Sequence, residues 1–537
     1  MKGILEKIHP KFYIFLSGIL IGLSLVFAEI GIISYIALVP LFFAMYKRMS
    51  EASYSAKKAY LDGFLFYTTF YLVTFHWITY FYPLDFAGIG NIEAICIILL
   101  GWFGLSALQS AFSALVFVLV WKFIRTTVYQ RYPILLAPFV AALFAINEWT
   151  QTFTWAGVPW GRIAISQAEM PMLMQSASLF GSYFLTFFVV LINILIAFFI
   201  VCPNKRRKYA FALLSVFVFN LALGVAIYFT PSVDEEREIK VASVQGNSYY
   251  EMDFLWPGRV LDVYTKLTRD AVENGAELVI WPEGTFALDI HDKILIEGNS
   301  LCEISVLVSA LAKELGVTIA LGTYCNDEEK IHSSMSVFYP DGSSHINAYA
   351  KRRPVPFGEF LPFENIVLSI APILAQINAF SSLDEGERST YFYSDNSDDS
   401  LKVGTLICFD SIYEQLGIDS AKEGAEIFII PSNDSWFFDS RALNMHHAQN
   451  ILRTVEQRKY SINCGNTGIT SIVNYRGEVI SSMPIETEGY IIDTVYASSG
   501  RSAYSYIGNL FVYLCLSAVI TVFVYDAVSR KKFLAEN

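Results

Sequence analysis

The chain has 537 residues, of which 54% are hydrophobic, 15% aromatic and only 16% charged, with a mean hydropathy of +0.43. So apolar a composition excludes an ordinary soluble protein of two or three domains and makes an integral membrane protein the first expectation. The formal net charge of −12 argues against a nucleic-acid partner, because a negative surface repels a phosphate backbone.

Mostly apolar runs of the length that crosses a bilayer as helix, about 18 residues or more, fall at 12–28, 30–46, 60–82, 93–121, 134–150, 176–202, 209–229 and 505–528. About eight spans are therefore expected. The first run follows Lys2, Lys7 and Lys11 and ends in "VFAEIG", which faintly resembles a secretory cleavage site. A second apolar run follows at once, which favours a retained span. Basic residues gather at the N-terminus, in 47–58, 122–131 and 205–208, and in the tail at Arg530, Lys531 and Lys532. These are every second connection, and Lys and Arg collect on cytoplasmic loops. The expected layout has both termini inside: seven spans in 1–230, an extracytoplasmic domain over 231–503, and a last span with a short cytoplasmic tail over 504–537. Polar groups at span edges, notably His76, Glu93, Glu148 and Arg162, are candidates to line a lateral lipid entrance.

The 231–503 stretch holds 20 Lys plus Arg against 40 Asp plus Glu, so the net negative charge comes from it. Four of the seven cysteines, Cys302, Cys325, Cys408 and Cys464, lie there without CxxC or Cys/His spacing. Neither a zinc site nor a disulfide framework is predicted, and no metal or cofactor is expected. Acidic "PSVDEERE" (231–238) reads as a linker, and "IKVASVQGN" (239–247) alternates like a strand. A helix is predicted from Trp256 to Gly275. Then "ELVIWPEGTF" (277–286) reads as a buried strand closed by Pro and Gly. A helix at 303–315 and strands at 317–324, 333–340 and 345–351 follow, the last two joined by a "DG" turn. Strand 402–407, helix 411–423, strand 426–434, helix 441–459, the segment "SINCGNTGITSIVN" and a last strand near 490–496 complete an alternating α/β pattern.

Three strand ends carry chemistry: Glu283 in "WPEGTF", Lys351 in "YAKRRPVPFGEFLPFE" and Cys408 in "GTLICFD". Active-site groups of α/β folds collect at strand C-termini. A thiol needs a base to take its proton and a cation to steady the thiolate and any oxyanion it generates. Each residue also has an ordinary reading, as a core cysteine, a loop carboxylate or a basic face.

Taken together and in this order, the three segments resemble the Glu–Lys–Cys motifs of the nitrilase superfamily, with K-x-x-x-x-P-F-G-E the most distinctive element. Seven spans before such a domain and one after it resemble the apolipoprotein N-acyltransferase family, as do "INEWTQTFTWAGVPWG" (146–161), "PSNDSWFFDS" and "CGNTGIT". The resemblance implies a multi-span helical membrane domain joined to an α-β-β-α sandwich. It implies Cys408 as a nucleophile that takes an acyl chain from a phospholipid as a thioester, Glu283 as general base and then acid, and Lys351 as the oxyanion's partner. Glu359, in "PFGE", matches an additional active-site glutamate. The acceptor implied is the α-amine of a diacylglyceryl-modified N-terminal cysteine on a lipoprotein, and the protein is expected to act as a monomer in the bacterial inner membrane. Trp256, Phe409, Asp410 and Trp436 are implied at the substrate. Phe409 and Asp410 stand where the family has Tyr and then Glu, which removes a phenol hydroxyl and shortens a carboxylate arm. Two other readings stay open on the residues alone: a membrane-tethered amidase, and a non-catalytic receptor or transporter. Against the latter stand the intact Glu283, Lys351 and Cys408 and the lack of a repeated transporter half.

Overall fold

The structure, a computed structural model, describes residues 8–84, 88–248, 255–296, 300–327, 330–370, 383–387, 390–395, 397, 400–498 and 500–536. Lys2 and Lys7 of the N-terminal basic cluster lie outside the described residues. The chain forms two compact units, one drawn from Met1–Pro83, Asn91–Phe229 and Ile507–Asn537, the other from Leu84–Gly90 and Thr230–Tyr506.

The first unit is helical. Among the described residues six helices are long and apolar enough to cross a membrane: Ala28–Met49, Asn91–Phe123, Pro133–Thr150, Ser182–Val201, Pro203–Tyr228 and Leu510–Lys531. Two further helices stand at the places of the first and third expected spans but are shorter or carry charge. Pro10–Val26 has 17 residues, just short of a full crossing. Ala56–Thr74 has 19 but places Lys57, Lys58 and Asp62 in its first two turns. Polar side chains within this unit are tied to one another, as backbone and side-chain groups away from water must be. The Glu148 carboxylate accepts from Ile163 N at 2.8 Å and Thr186 Oγ1 at 2.6 Å, and the fully buried Arg162 guanidinium lies 5.4 Å from the Tyr183 ring centre. Glu148 and Arg162 are thus buried in the helix packing, whereas Glu93 is exposed.

The second unit is a sandwich of two six-stranded sheets. One has the order β14-β1-β2-β5-β6-β7, the other β13-β12-β11-β10-β9-β8. The first comprises β1 (Val233–Gln245), β2 (Leu278–Trp281), β5 (Thr318–Asp327), β6 (Lys330–Phe338), β7 (Ser344–Ala350) and β14 (Gly489–Ser498); a separate hairpin holds β3 (Lys293–Ile296) and β4 (Ser300–Glu303). The second comprises β8 (Tyr391–Tyr393), β9 (Lys402–Thr405), β10 (Ile427–Ser432), β11 (Ser461–Gly465), β12 (Thr470–Val473) and β13 (Val479–Met483). In each sheet three neighbouring strands run parallel: β1, β2 and β5, and β9, β10 and β11. Such strands are covered on both faces, so they read as unbroken apolar runs.

Side-chain alternation builds the layers. Leu278 and Ile280 of β2 enter the core between the sheets together with Ile427 and Ile429 of β10. Val279 and Trp281 face outward, onto Val260, Tyr264, Leu267 and Ala271 of helix Pro257–Glu273 and Val308 of helix Ile304–Leu315. Phe428 of β10 likewise turns out towards Ala421, on helix Glu414–Glu423. The architecture is the α-β-β-α sandwich expected above.

The 231–238 segment is a correction to the sequence reading. It is no linker: Val233 pairs with Ser498 and Asp234 with Ala497 as β1 begins, followed by an irregularity before Glu238. The acidic side chains made it look unstructured, but the backbone pairs on either side of Glu235 and Glu236, which stand exposed at the irregularity, and Arg237 binds Glu426. Strands β3, β4, β8 and β13 were not anticipated either; they are short and border turns, so alternation had few residues in which to register.

Candidate active site

Glu283 follows β2 by two residues, Lys351 follows β7 directly, Cys408 comes three residues after β9, and Asn433 and Asp434 follow β10. β7 is antiparallel to β6, which is antiparallel to β5, so β7 runs with β2 and delivers Lys351 to the same end of its sheet. Lys351 Nζ donates to Glu283 Oε1 at 2.8 Å and to Glu359 Oε1 at 2.6 Å. The second Glu283 oxygen accepts from Asn433 N at 3.2 Å, and Ser333 Oγ donates to Oε1 at 2.9 Å. Glu359 is held in turn by Val355 N at 2.8 Å. Charged groups are rarely buried unless so paired: the Lys351 side chain is 1% exposed.

Cys408 belongs to the same cluster, since Glu283, Lys351, Asp434 and Glu359 all act electrostatically on its thiol. Burial, then the Glu283 charge, push the thiol well above its ordinary range, against the opposing pull of Lys351. At neutral pH the sulfur therefore rests protonated and needs a base before it can attack. For Lys351, burial works against the charge, but Glu283 and Glu359 outweigh it and hold the ammonium well above its usual range. It stays a cation at any working pH. Burial raises the Glu359 carboxyl against the pull of Lys351, with Glu283 adding to the rise. Buried charge clusters are poor sources of stability, and strongly perturbed groups of this kind concentrate where chemistry is done.

Cys408 opens a short turn, Cys408–Ile412, with φ of +47°. A non-glycine residue pays of order 1–3 kcal/mol to sit there. The geometry lifts the sulfur out of the strand line, and Ser411 Oγ holds the Cys408 carbonyl at 2.8 Å.

The remaining expected residues divide. Asp410 is fully buried, and its carboxylate is engaged by Tyr349 Oη at 2.7 Å, Arg353 N at 2.8 Å, Arg352 N at 3.2 Å and Ile407 N at 3.3 Å. Phe409 is buried edge-on against Tyr413, with ring centres 5.6 Å apart. Trp256 and Trp436 are exposed, at 65% and 46%. Trp256 caps the start of helix Pro257–Glu273, and Trp436 sits in the turn Ser435–Phe437 just beyond Asp434. Several residues of the site were not anticipated individually: Ser333, Tyr349, Asp434, Ser411 and His446. Asp434 lies in "PSNDSWFFDS", at the end of a buried strand, and that position is the available signal. Among the described residues no group of three or more His, Cys, Asp or Glu is arranged to hold a metal ion.

A thiol, an ammonium and two carboxylates gathered at the strand ends of an α-β-β-α sandwich define a carbon–nitrogen hydrolase type of enzyme domain, and residues 240–504 match that family, described as carbon-nitrogen hydrolase. Residues 17–195 match the apolipoprotein N-acyltransferase N-terminal domain. The apolipoprotein N-acyltransferase of Geobacter metallireducens is 25% identical over 527 residues, covering 94% of this chain and 93% of its own. That of Thermotoga maritima is 25% identical over 515 residues, covering 95% and 92%. Among solved structures, Saccharomyces cerevisiae Nit3, a nitrilase-superfamily member, aligns at 20% identity with a TM-score of 0.36, covering 50% of this chain and 92% of that one. The chain belongs to the apolipoprotein N-acyltransferase family.

Proposed function

We propose that the protein moves an acyl chain from a phospholipid, through a thioester on Cys408, to the α-amine of the N-terminal diacylglyceryl-cysteine of lipoproteins. The observation that carries this reading is the Lys351 ammonium held 2.8 Å from Glu283 and 2.6 Å from Glu359 beside the Cys408 thiol, in a chain whose other unit is built of membrane-spanning helices.

In the first half-reaction Glu283 takes the thiol proton, and the thiolate attacks the sn-1 ester carbonyl. Lys351 compensates the tetrahedral oxyanion. Collapse breaks the ester C–O bond, and Glu283 returns the proton to the departing lysophospholipid oxygen. In the second, the lipoprotein amine attacks the thioester, an amide forms, and the sulfur leaves as the proton passes back through Glu283. Water must not replace the amine, which is a reason to bury the machinery. Glu359 fixes Lys351, and Asp410, engaged on both oxygens, positions the Lys351 and Cys408 segments instead of touching substrate. The exposed indoles of Trp256 and Trp436 are suited to acyl chains.

The charge pattern of the loops supports a layout with both termini in the cytoplasm and the α/β unit on the extracytoplasmic face of the inner membrane; we take the protein to act as a monomer. Mass spectrometry after incubation with phospholipid tests the chemistry. An acyl adduct is expected on Cys408, absent in Cys408→Ala, Glu283→Gln and Lys351→Ala, and discharged by a diacylated lipopeptide. Release of free fatty acid with no discharge would assign the chain to hydrolysis.

A further inference from the structure

His446 lies inside helix Ala442–Gln457, 2% exposed, directly behind the nucleophile. Its Nδ1 faces both oxygens of Asp434, at 3.1 and 3.2 Å, and its Nε2 faces the Cys408 carbonyl oxygen at 3.2 Å and Ser411 Oγ at 3.0 Å. A carboxylate and a carbonyl only accept, and the Ser411 hydroxyl donates its hydrogen to the Cys408 carbonyl at 2.8 Å. With the Ser411 hydrogen on the shorter of its two contacts, both ring nitrogens face acceptors, and the imidazolium is the form of His446 that donates to all of them. Asp434 Oδ1 stands 4.0 Å from Cys408 Sγ. At that separation an uncompensated carboxylate strongly disfavours a thiolate.

We propose that His446 is a positioning residue for the nucleophile: its cation cancels the charge that Asp434 would present to the Cys408 sulfur, and its second N–H braces the left-handed Cys408 turn. Three features support this. The pair is buried, so neither water nor salt screens Asp434 from the sulfur. The other groups facing His446 do not replace it: Lys351 is already committed to two carboxylates, and burial, followed by the His446 charge, lowers neighbouring His447 to about 4, so it is neutral at pH 7. Finally, burial opposes the His446 charge, but Asp434 and the Cys408 carbonyl outweigh it and raise the imidazole above its ordinary value of 6.5.

The inference rests on Cys408 being the nucleophile, and its test reads the thiol itself. Iodoacetamide alkylation of the Cys408 peptide is followed by mass spectrometry as a function of pH in the full chain in detergent micelles. His446→Gln is expected to slow alkylation at pH 7 about tenfold, equivalent to raising the thiol by about one pKa unit. Asp434→Asn added to His446→Gln is expected to restore the rate to within about threefold of wild type, a rescue that a merely structural role would not produce. An unchanged profile in His446→Gln, or a double variant as slow as the single, overturns the proposal. Where His446→Gln does not fold, the double variant alone decides by the same threefold criterion. A Cys408→Ala protein that still gained an acyl group would instead refute the nucleophile assignment and leave the alkylation comparison intact.

Discussion

Asp410 shows how one side chain can hold a site it does not enter. Its two oxygens join the end of β7, through Arg352 and Arg353, to the turn after β9, through Ile407, with Tyr349 closing the set. Removing a buried acceptor strands its donors at about 1–3 kcal/mol. Asp410→Ala is therefore expected to cost at least that much stability, and Tyr349→Phe about 1 kcal/mol, both read by thermal unfolding in detergent. Adduct formation on Cys408 should fall with Asp410→Ala, because Lys351 and the sulfur lose their common anchor. The His446 imidazole gives a pH prediction. Its folded pKa is raised above 6.5, so its contribution to stability is complete below about pH 6.5 and is lost as pH climbs through the raised value. The melting temperature should fall over that window, with Asp434, Lys351 and His447 as the charges in reach, and the corresponding step should disappear in His446→Gln. Glu283, Lys351 and Cys408 were legible in the sequence because each closes an apolar run at an abrupt polar break. His446 was not, because a histidine within a helix displays a period but never its partner, and Asp434 acquires meaning only once β9 and β10 lie side by side.

At the scale of elements, the clearest constraint is the passage of β5 beneath the loop that carries Glu283. A Cβ on Gly322 would meet Pro282 O at 2.4 Å and Glu283 Cα at 2.8 Å. Gly322→Ala must move the loop or the strand, at about 1–3 kcal/mol. Under the proposed mechanism a displaced Glu283 is a poorer base for Cys408, so acyl-adduct formation should drop by about tenfold or more; timed mass spectrometry of the Cys408 peptide checks this. The elements built on sustained alternation or helical spacing, such as β2, β10 and helix Pro257–Glu273, were readable because burial on defined faces dictates their residues. The hairpin β3–β4 escaped notice: four-residue strands beside exposed Leu295 and Leu301 carry too little pattern. The acidic start of β1 misled for the opposite reason, since backbone pairing leaves no trace in side chains that face water.

For the whole molecule, composition and the spacing of basic loops carry the topology proposal. It predicts that protease added to the outer face of spheroplasts degrades the 231–503 region, while inverted membrane vesicles protect it; the reverse pattern would overturn the layout. The order of strands has a further consequence. β1, the first strand made, lies between β2 and β14, the last strand made, with Val241 opposite Leu278 on one side and Asp493 on the other. Until residues 489–498 emerge, one side of β1 is an open ladder of unpaired amides, and its closure waits on a contact across nearly the full length of the lobe. Synthesis that stalls before residue 489 therefore releases a sticky fragment instead of a smaller working enzyme, and the newborn lobe needs shielding from its neighbours until its final strand arrives.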